Sequence, residues 1–187
     1  MYAAELPWGG RLVKVVSAEQ ADLGIEVSVW ADDQVNTYCN TGSLRLLAHL
    51  FDACAEDGQL VVLNRHAPAG ADLVIFRGTD TPVDFPAYRR LRHTLPKVRK
   101  IPYTAGRARP EMDSDRRTEL WRQRGLITVR TQDHVVLLGG TGHGLRLCAL
   151  DCLDLAVPGS SDHEHWADYW LGTSKTVEFI IRNQDNA

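Results

Sequence analysis

The sequence predicts an α+β fold, with one antiparallel or mixed sheet and helices packed on it. Short apolar runs, several of them alternating with polar residues, recur along the chain, and such runs are typical of strands. Between them lie segments whose apolar residues recur at three- and four-residue spacing, which indicates amphipathic helices. The 187 residues are 44% hydrophobic and 24% charged, an ordinary composition for one globular domain over 1–187.

The first half of the chain is predicted to contain two helices among its strands. Ser17 is expected to begin a short helix, because Gln20 three residues later completes a capping box. The strongest helical pattern runs from a cap at Ser43 to Gly58, where the glycine ends it. The predicted strands of this half are 11–16, 25–29, 35–40, 60–64 and 73–77.

The second half is predicted to contain three helices and a hairpin. Pro96 ends the first of these helices, and Asp113 or Ser114 caps the second. The segment around Trp166 is expected to be a loop or a short helix. The predicted elements are helices over 87–95, 113–125 and 145–157, a hairpin of 126–130 with 135–138, and a closing strand over 176–182.

The cysteine pattern and the hydropathy place the protein in the cytoplasm. No pair of cysteines has CxxC spacing, so we expect four buried thiols in a reducing compartment and no zinc ribbon. No apolar run is long enough to span a membrane, and residues 1–10 lack the features of a signal peptide. No cofactor is expected. The cysteines are Cys39, Cys54, Cys148 and Cys152.

Residues 89–130 form a basic segment in an otherwise acidic chain. The segment has thirteen basic and four acidic residues, a net charge of +9, although the whole chain has a net charge of −3. Eleven of the thirteen are arginines, and arginine is the preferred ligand where phosphate is bound through two hydrogen bonds. Tyr88, Tyr103 and Trp121 are interleaved with them, and aromatic rings can stack on unpaired bases.

Three interpretations of this segment stay open. It binds nucleic acid, it binds an acidic protein, or it is a solvated face that pairs with the chain's own carboxylates. For the first interpretation, the expected nucleic-acid ligands are Arg89, Arg90, Arg92, Lys97, Arg99, Lys100, Arg107, Arg109, Arg116 and Arg117.

A glycine-rich turn over 139–144 follows an apolar strand and precedes a helix. In such a turn the backbone N–H groups of Gly140, Gly142 and Gly144 could approach a phosphate. The turn resembles the GGTGxxG turn of short-chain dehydrogenases, but too few residues follow it for that family's large sheet. The alternative is a tight turn that requires positive φ angles.

Histidines provide the weaker candidate sites. His143 and His134 flank the strand before the glycine turn, and either could act as a general acid or base on a phosphate held there. His163 and His165, with a carboxylate such as Asp168, form a conceivable metal site, whose alternative is an exposed polar loop.

Together these features favour binding over catalysis. The expected function is a non-enzymatic, nucleic-acid-binding accessory protein, acting on RNA or DNA within a larger prokaryotic complex. A small nuclease or nucleotide-processing enzyme is the first alternative, and a protein-interaction or inhibitor module is the second. The binding interpretation further predicts that both parts of the basic segment, before and after residue 110, share one face with the glycine turn.

Overall fold

A computed structural model of the chain describes residues 1–30, 34–106, 114–123, 125–166 and 177–186. These residues form two mixed sheets with helices packed on them, which confirms the α+β class. The strands are β1 (Tyr2–Trp8), β2 (Arg11–Glu19), β3 (Ile25–Val29), β4 (Val35–Cys39), β5 (Leu60–Asn64), β6 (Asp72–Arg77), β7 (Ile101–Pro102), β8 (Ile127–Gln132), β9 (Val135–Gly140), β10 (His163–Trp166) and β11 (Phe179–Asn183). The helices are α1 (Gln20–Leu23), α2 (Thr41–Asp57), α3 (Phe85–Thr94), α4 (Ser114–Trp121) and α5 (Gly142–Leu155), and a short 3-10 helix (Leu95–Lys97) follows α3.

The larger sheet has seven strands in the order β7-β1-β2-β5-β6-β9-β8. β2 pairs with β5 and β6 pairs with β9 in parallel, and the other pairs are antiparallel. The predicted hairpin is confirmed as β8 and β9. Its two turn residues, Asp133 and His134, have φ angles of 50° and 60°, the left-handed conformation that tight hairpins require.

The smaller sheet has four strands in the order β10-β11-β4-β3. β11 is the predicted closing strand, and it lies between two neighbours. It pairs with β4 in parallel, from Phe179 opposite Val35 to Asn183 opposite Cys39, and with β10 in antiparallel. The sheet therefore joins segments from both ends of the described chain.

The layers are defined by the alternation of side chains along the strands. One face of the seven-stranded sheet, including Leu73 and Ile75 of β6, packs with α2, α4, α5 and the inner face of the smaller sheet. The opposite face, including Val74 and Phe76, packs against α3. Helices α2 and α5 therefore lie between the two sheets, and α3 lies on the outer face.

The long helix α2 ends where the sequence predicts but begins earlier. Gly58 adopts a left-handed φ of 59° at its end. Its cap is Asn40, whose Oδ1 accepts a hydrogen bond from the backbone N–H of Ser43. The cap predicted at Ser43 is wrong because that hydroxyl is buried and donates to Leu23 O (2.5 Å) instead.

The capping box predicted at Ser17 and Gln20 is also wrong. β2 continues to Glu19 because it pairs with β5, so Ser17 is part of a strand. The Gln20 side chain is buried and donates to the carbonyls of Leu63 and Ala71. It links three segments of the chain and caps no helix.

Two other segments differ from the sequence prediction. Residues 2–8, which no pattern marked, form β1 because every residue of that strand lies opposite one of β2. The expected loop or short helix before residue 167 contains β10, and Trp166 at its end is buried against Phe51 and Phe179. Helix α3 begins two residues before the predicted start, capped by Asp84, and Pro86 lies in its first turn.

The four cysteines are all free and buried, as the sequence predicts. Burial raises the pKa of the Cys39 thiol to about 12. Among the described residues, no helix is both long enough and apolar enough to cross a membrane.

Candidate nucleic-acid interface

The α-helices of the two parts of the basic segment, α3 and α4, lie on opposite faces of the seven-stranded sheet, although Arg130 of the second part reaches the α3 face. Tyr88 and Leu91 of α3 pack on the outer face. Leu120 of α4 packs with α5 on the inner face, beside the glycine turn. The prediction that both parts share one face with the glycine turn is therefore wrong. The reason is that α3 packs on the outer face of the seven-stranded sheet, whereas α4 packs with α5 on its inner face.

The α4 arginines are held by the protein's own carboxylates. Arg116 contacts Glu119 (2.6 Å), one helical turn away. The Nη2 group of Arg117 donates to Asp151 (3.0 Å) and to Asp154 (2.6 Å) on α5. Burial opposes the charge of Arg117, but the two aspartates outweigh it and raise its pKa. At these two arginines, the geometry fits the internal-pairing interpretation of the sequence.

On α3, two of the arginines are also paired. Arg89 contacts Asp133 (3.1 Å) at the hairpin turn, where both side chains are exposed. Arg92 donates to Asp72 Oδ2 (3.1 Å), a carboxylate at the start of β6 that is only 1% exposed. The Tyr88 hydroxyl donates to the same oxygen (2.6 Å). Burial raises the pKa of that phenol, and a buried, hydrogen-bonded ring cannot stack on a base.

Four further cations have no carboxylate partner within the described part of the chain. All four are exposed, and they follow one another along α3 and the segment after it. Lys97 Nζ contacts His93 Nε2 (2.5 Å), so its local partner is an imidazole. We name this set the α3 ridge. The α3 ridge consists of Arg90, Lys97, Arg99 and Lys100.

A groove of about 690 Å³ lies between β1 and α3, beside the α3 ridge. Its floor is apolar and well buried, with Leu6, Val83 and Leu91 each 5% exposed or less. Trp8 forms one wall, and its Nε1–H donates to the carbonyl of Pro82 (3.3 Å). Arg90 of the ridge lines the same groove.

Arg130 also lines the groove. It extends from β8, and its Nη2 donates to Val83 O (2.7 Å). Its guanidinium carbon lies 6.0 Å from the centre of the Phe85 ring. Trp8 is not among the predicted site residues. Its position directly before Gly9 and Gly10 is nevertheless typical of a residue at the end of a β-hairpin.

The glycine turn is a close-packed junction. Gly140 and Gly144 are buried, and a Cβ added at Gly144 would lie 2.2 Å from the carbonyl oxygen of Leu126. A Cβ at Gly142 would lie 3.3 Å from the carbonyl oxygen of Ala55. None of these glycines has a positive φ. The turn therefore needs glycine because another backbone approaches it closely. The tight-turn alternative correctly predicts a structural role for these glycines, but the positive φ angles that it requires are not found at them.

The remaining predicted ligands are placed as follows. The side chains of His134 and His143 are exposed and make no hydrogen bond within the described residues. They lie beyond opposite ends of β9, which as a six-residue strand is about 20 Å long, so they do not share one centre. Arg107, Arg109 and Asp168 lie outside the described residues, as does the Trp121 side chain.

The two C-terminal histidines are engaged with carboxylates. The rings of His163 and His165 are 4.8 Å apart, centre to centre. His163 Nδ1 contacts Asp162 (2.7 Å) and His165 Nδ1 contacts Glu178 (2.5 Å). In the described part of the chain, no group of three or more metal-ligating side chains is present.

A buried carboxylate cluster was not found from sequence. Asp151 on α5 is 3% exposed and accepts hydrogen bonds from Arg117 and from Trp166 Nε1 (3.0 Å). Burial and the nearby Glu164 raise the pKa of Asp151 to about 7, although Arg117 and Trp166 oppose the shift. Burial also raises the pKa of Glu164. This cluster joins α4, α5 and β10.

No protein-family model, curated protein or solved structure matches this chain. Any function must therefore come from the geometry of the described residues. The α3 ridge and the groove beside it are the strongest candidate.

Proposed function

We propose that the protein is a non-enzymatic nucleic-acid-binding accessory protein, which binds single-stranded RNA or DNA on its α3 face. The α3 ridge contacts the phosphates, and the glycine turn takes no part. The observation that carries the proposal is a set of four exposed cations, without a carboxylate partner among the described residues, beside a groove that contains a tryptophan.

Support comes first from the contrast within the basic segment. Arg116 and Arg117 are paired with carboxylates of the chain, and so are Arg89 and Arg92. The four ridge residues have no such partner among the described residues. Unpaired, solvated cations are the groups that displace counterions from a phosphate backbone.

Support for binding over catalysis comes from the positions of the histidines. Neither His134 nor His143 lines the groove, and each lies at a different end of β9. A general base must lie within hydrogen-bond reach of the group that it deprotonates. We therefore expect the bound strand to be recovered uncut.

The test is a salt titration of binding to a labelled oligodeoxythymidylate of about 15 nucleotides, followed by fluorescence anisotropy. If the four ridge cations each neutralise one phosphate, log K falls with log salt with a slope of about −2.8. This slope corresponds to about a 50-fold loss of affinity between about 50 and 200 mM salt. The double variant Arg90→Ala/Lys97→Ala removes two of the four ridge cations and should make the slope less steep by about 1.4.

The matched control is Arg45→Ala/Arg122→Ala, which removes two exposed arginines from the side of the sheet that carries α2 and α4. This control should keep the wild-type slope. No measurable binding at about 50 mM salt, or equal slopes for both double variants, would refute the proposal. Binding to an acidic protein but to no oligonucleotide would have the same consequence.

A further inference from the structure

We infer that the groove between β1 and α3 receives an unpaired nucleobase of the bound strand, which stacks on Trp8. This inference deepens the proposed function and rests on it. Its geometric basis is an apolar floor, one fixed aromatic wall and two arginines, all lining one groove of about 690 Å³.

The wall is held in place before any ligand binds. The hydrogen bond from Trp8 Nε1 to Pro82 O ties the end of β1 to the loop before α3. The same hydrogen bond occupies the polar edge of the indole, and the ring is half-buried against the apolar cluster under α3, so the part of the ring that lines the groove is its contact surface. A base gains most from a ring that is already oriented, because less conformational entropy is lost on binding.

The floor suits a planar, weakly polar group. Leu6, Ala87 and Leu91 supply it, and none of them carries a side-chain donor or acceptor. A phosphate placed there would lose its hydration without compensation. A base can lay its apolar face on the floor and keep its polar edge toward the solvent.

The arginines supply the complementary site for the sugar-phosphate backbone. Arg130 is anchored by one hydrogen bond to Val83 O, and its other N–H groups remain for a phosphate oxygen. Arg90 connects the groove to the rest of the α3 ridge. Asp84 is the acidic residue of the groove, and its Oδ1 accepts the N–H of Ala87 at the start of α3. We therefore expect the phosphate to lie beside the two arginines, away from Asp84.

A base-binding groove should also distinguish single-stranded from double-stranded nucleic acid. In a duplex the faces of the bases are covered by their neighbours, so Trp8 could stack only on an unpaired or terminal base. We expect the protein to bind single strands more tightly than a duplex of equal length, although the duplex carries more charge.

The test compares oligodeoxythymidylate with an abasic strand of the same length and charge. Trp8→Ala should weaken binding of the thymidylate about 10-fold, leave binding of the abasic strand unchanged and leave the salt slope unchanged. Trp8→Phe keeps an aromatic ring and should restore most of the affinity. The control is Trp30→Ala, which removes an indole that is 51% exposed beside the smaller sheet, and it should have no effect.

The outcomes separate the two proposals. If Trp8→Ala and Trp8→Phe bind thymidylate as tightly as the wild type, the base-binding groove is refuted and the phosphate-binding ridge stands. The groove is also refuted if Trp8→Ala weakens both strands equally, since the effect would then lie in the fold or the backbone contacts. If the wild type binds neither strand, the proposed function itself fails.

Discussion

Replacement of Asp151 by asparagine should abolish the loss of stability that ionisation of this carboxyl group causes between about pH 4 and pH 7. Asp151 is 3% exposed, and its pKa in the folded protein is about 7, against 3.8 for an unperturbed aspartate. Burial is the main cause, and Glu164 adds to it, whereas Arg117 opposes it.

The sign follows from the direction of the shift. A carboxyl group whose pKa is higher in the folded state binds its proton more tightly there than in the unfolded chain. Its contribution to stability is therefore complete below about pH 4 and is lost as the pH rises through about 7. A shift of about three pH units corresponds to about 4 kcal/mol in the free energy of unfolding.

The variant Asp151→Asn keeps the shape and one hydrogen bond of the cluster. The asparagine Oδ1 can still accept from Trp166 Nε1, and Arg117 keeps its contact with Asp154. Other carboxyl groups, such as Glu178, are present in both proteins and cancel in the comparison.

The assay is urea unfolding, followed by circular dichroism, of both proteins at about pH 5 and pH 8. The unfolding free energy of the wild type should fall relative to that of the variant by about 3 kcal/mol over this interval. Equal changes in the two proteins would show that Asp151 does not titrate in this range and would refute the reasoning.

Two further substitutions test the packing around the glycine turn and under α3. Gly144→Ala should destabilise the fold by about 3 kcal/mol, because its Cβ would lie 2.2 Å from Leu126 O, whereas Gly78→Ala meets only ordinary contacts and should be tolerated. Equal unfolding midpoints for these two variants would contradict the close-approach explanation. Tyr88→Phe should cost about 1–3 kcal/mol, because it removes a donor from the buried Asp72 and keeps the ring. Unchanged urea unfolding of Tyr88→Phe would show that Asp72 is satisfied without that hydroxyl.

The sequence predicts most of the elements because their apolar periodicity is local. The pattern of α2 is strong because the helix is buried by both sheets, and Gly58 marks its end. β1 has no comparable pattern. Its residues include Pro7 and lack a regular alternation, and they form a strand because β2 lies opposite each of them.

The division into two sheets is not visible in the sequence, because strand pairing joins distant residues. Nothing local to Phe179 indicates that its parallel partner is Val35. The same limit applies to the candidate site. Composition identifies the basic segment, but a partner of Arg117 is Asp151, 34 residues away, so the pairing of this arginine with a carboxylate requires the fold.

The position of β11 has a consequence for synthesis on the ribosome. β11 is inserted between β10 and β4, so the edge of β4 stays open until the chain has been extended by more than 140 residues. Until then Val35 and Cys39 lie on a strand with one unpaired edge, and early release of a shortened chain would leave that edge available to other chains. The smaller sheet can close only after translation of β11, whereas β3 and β4 are made much earlier.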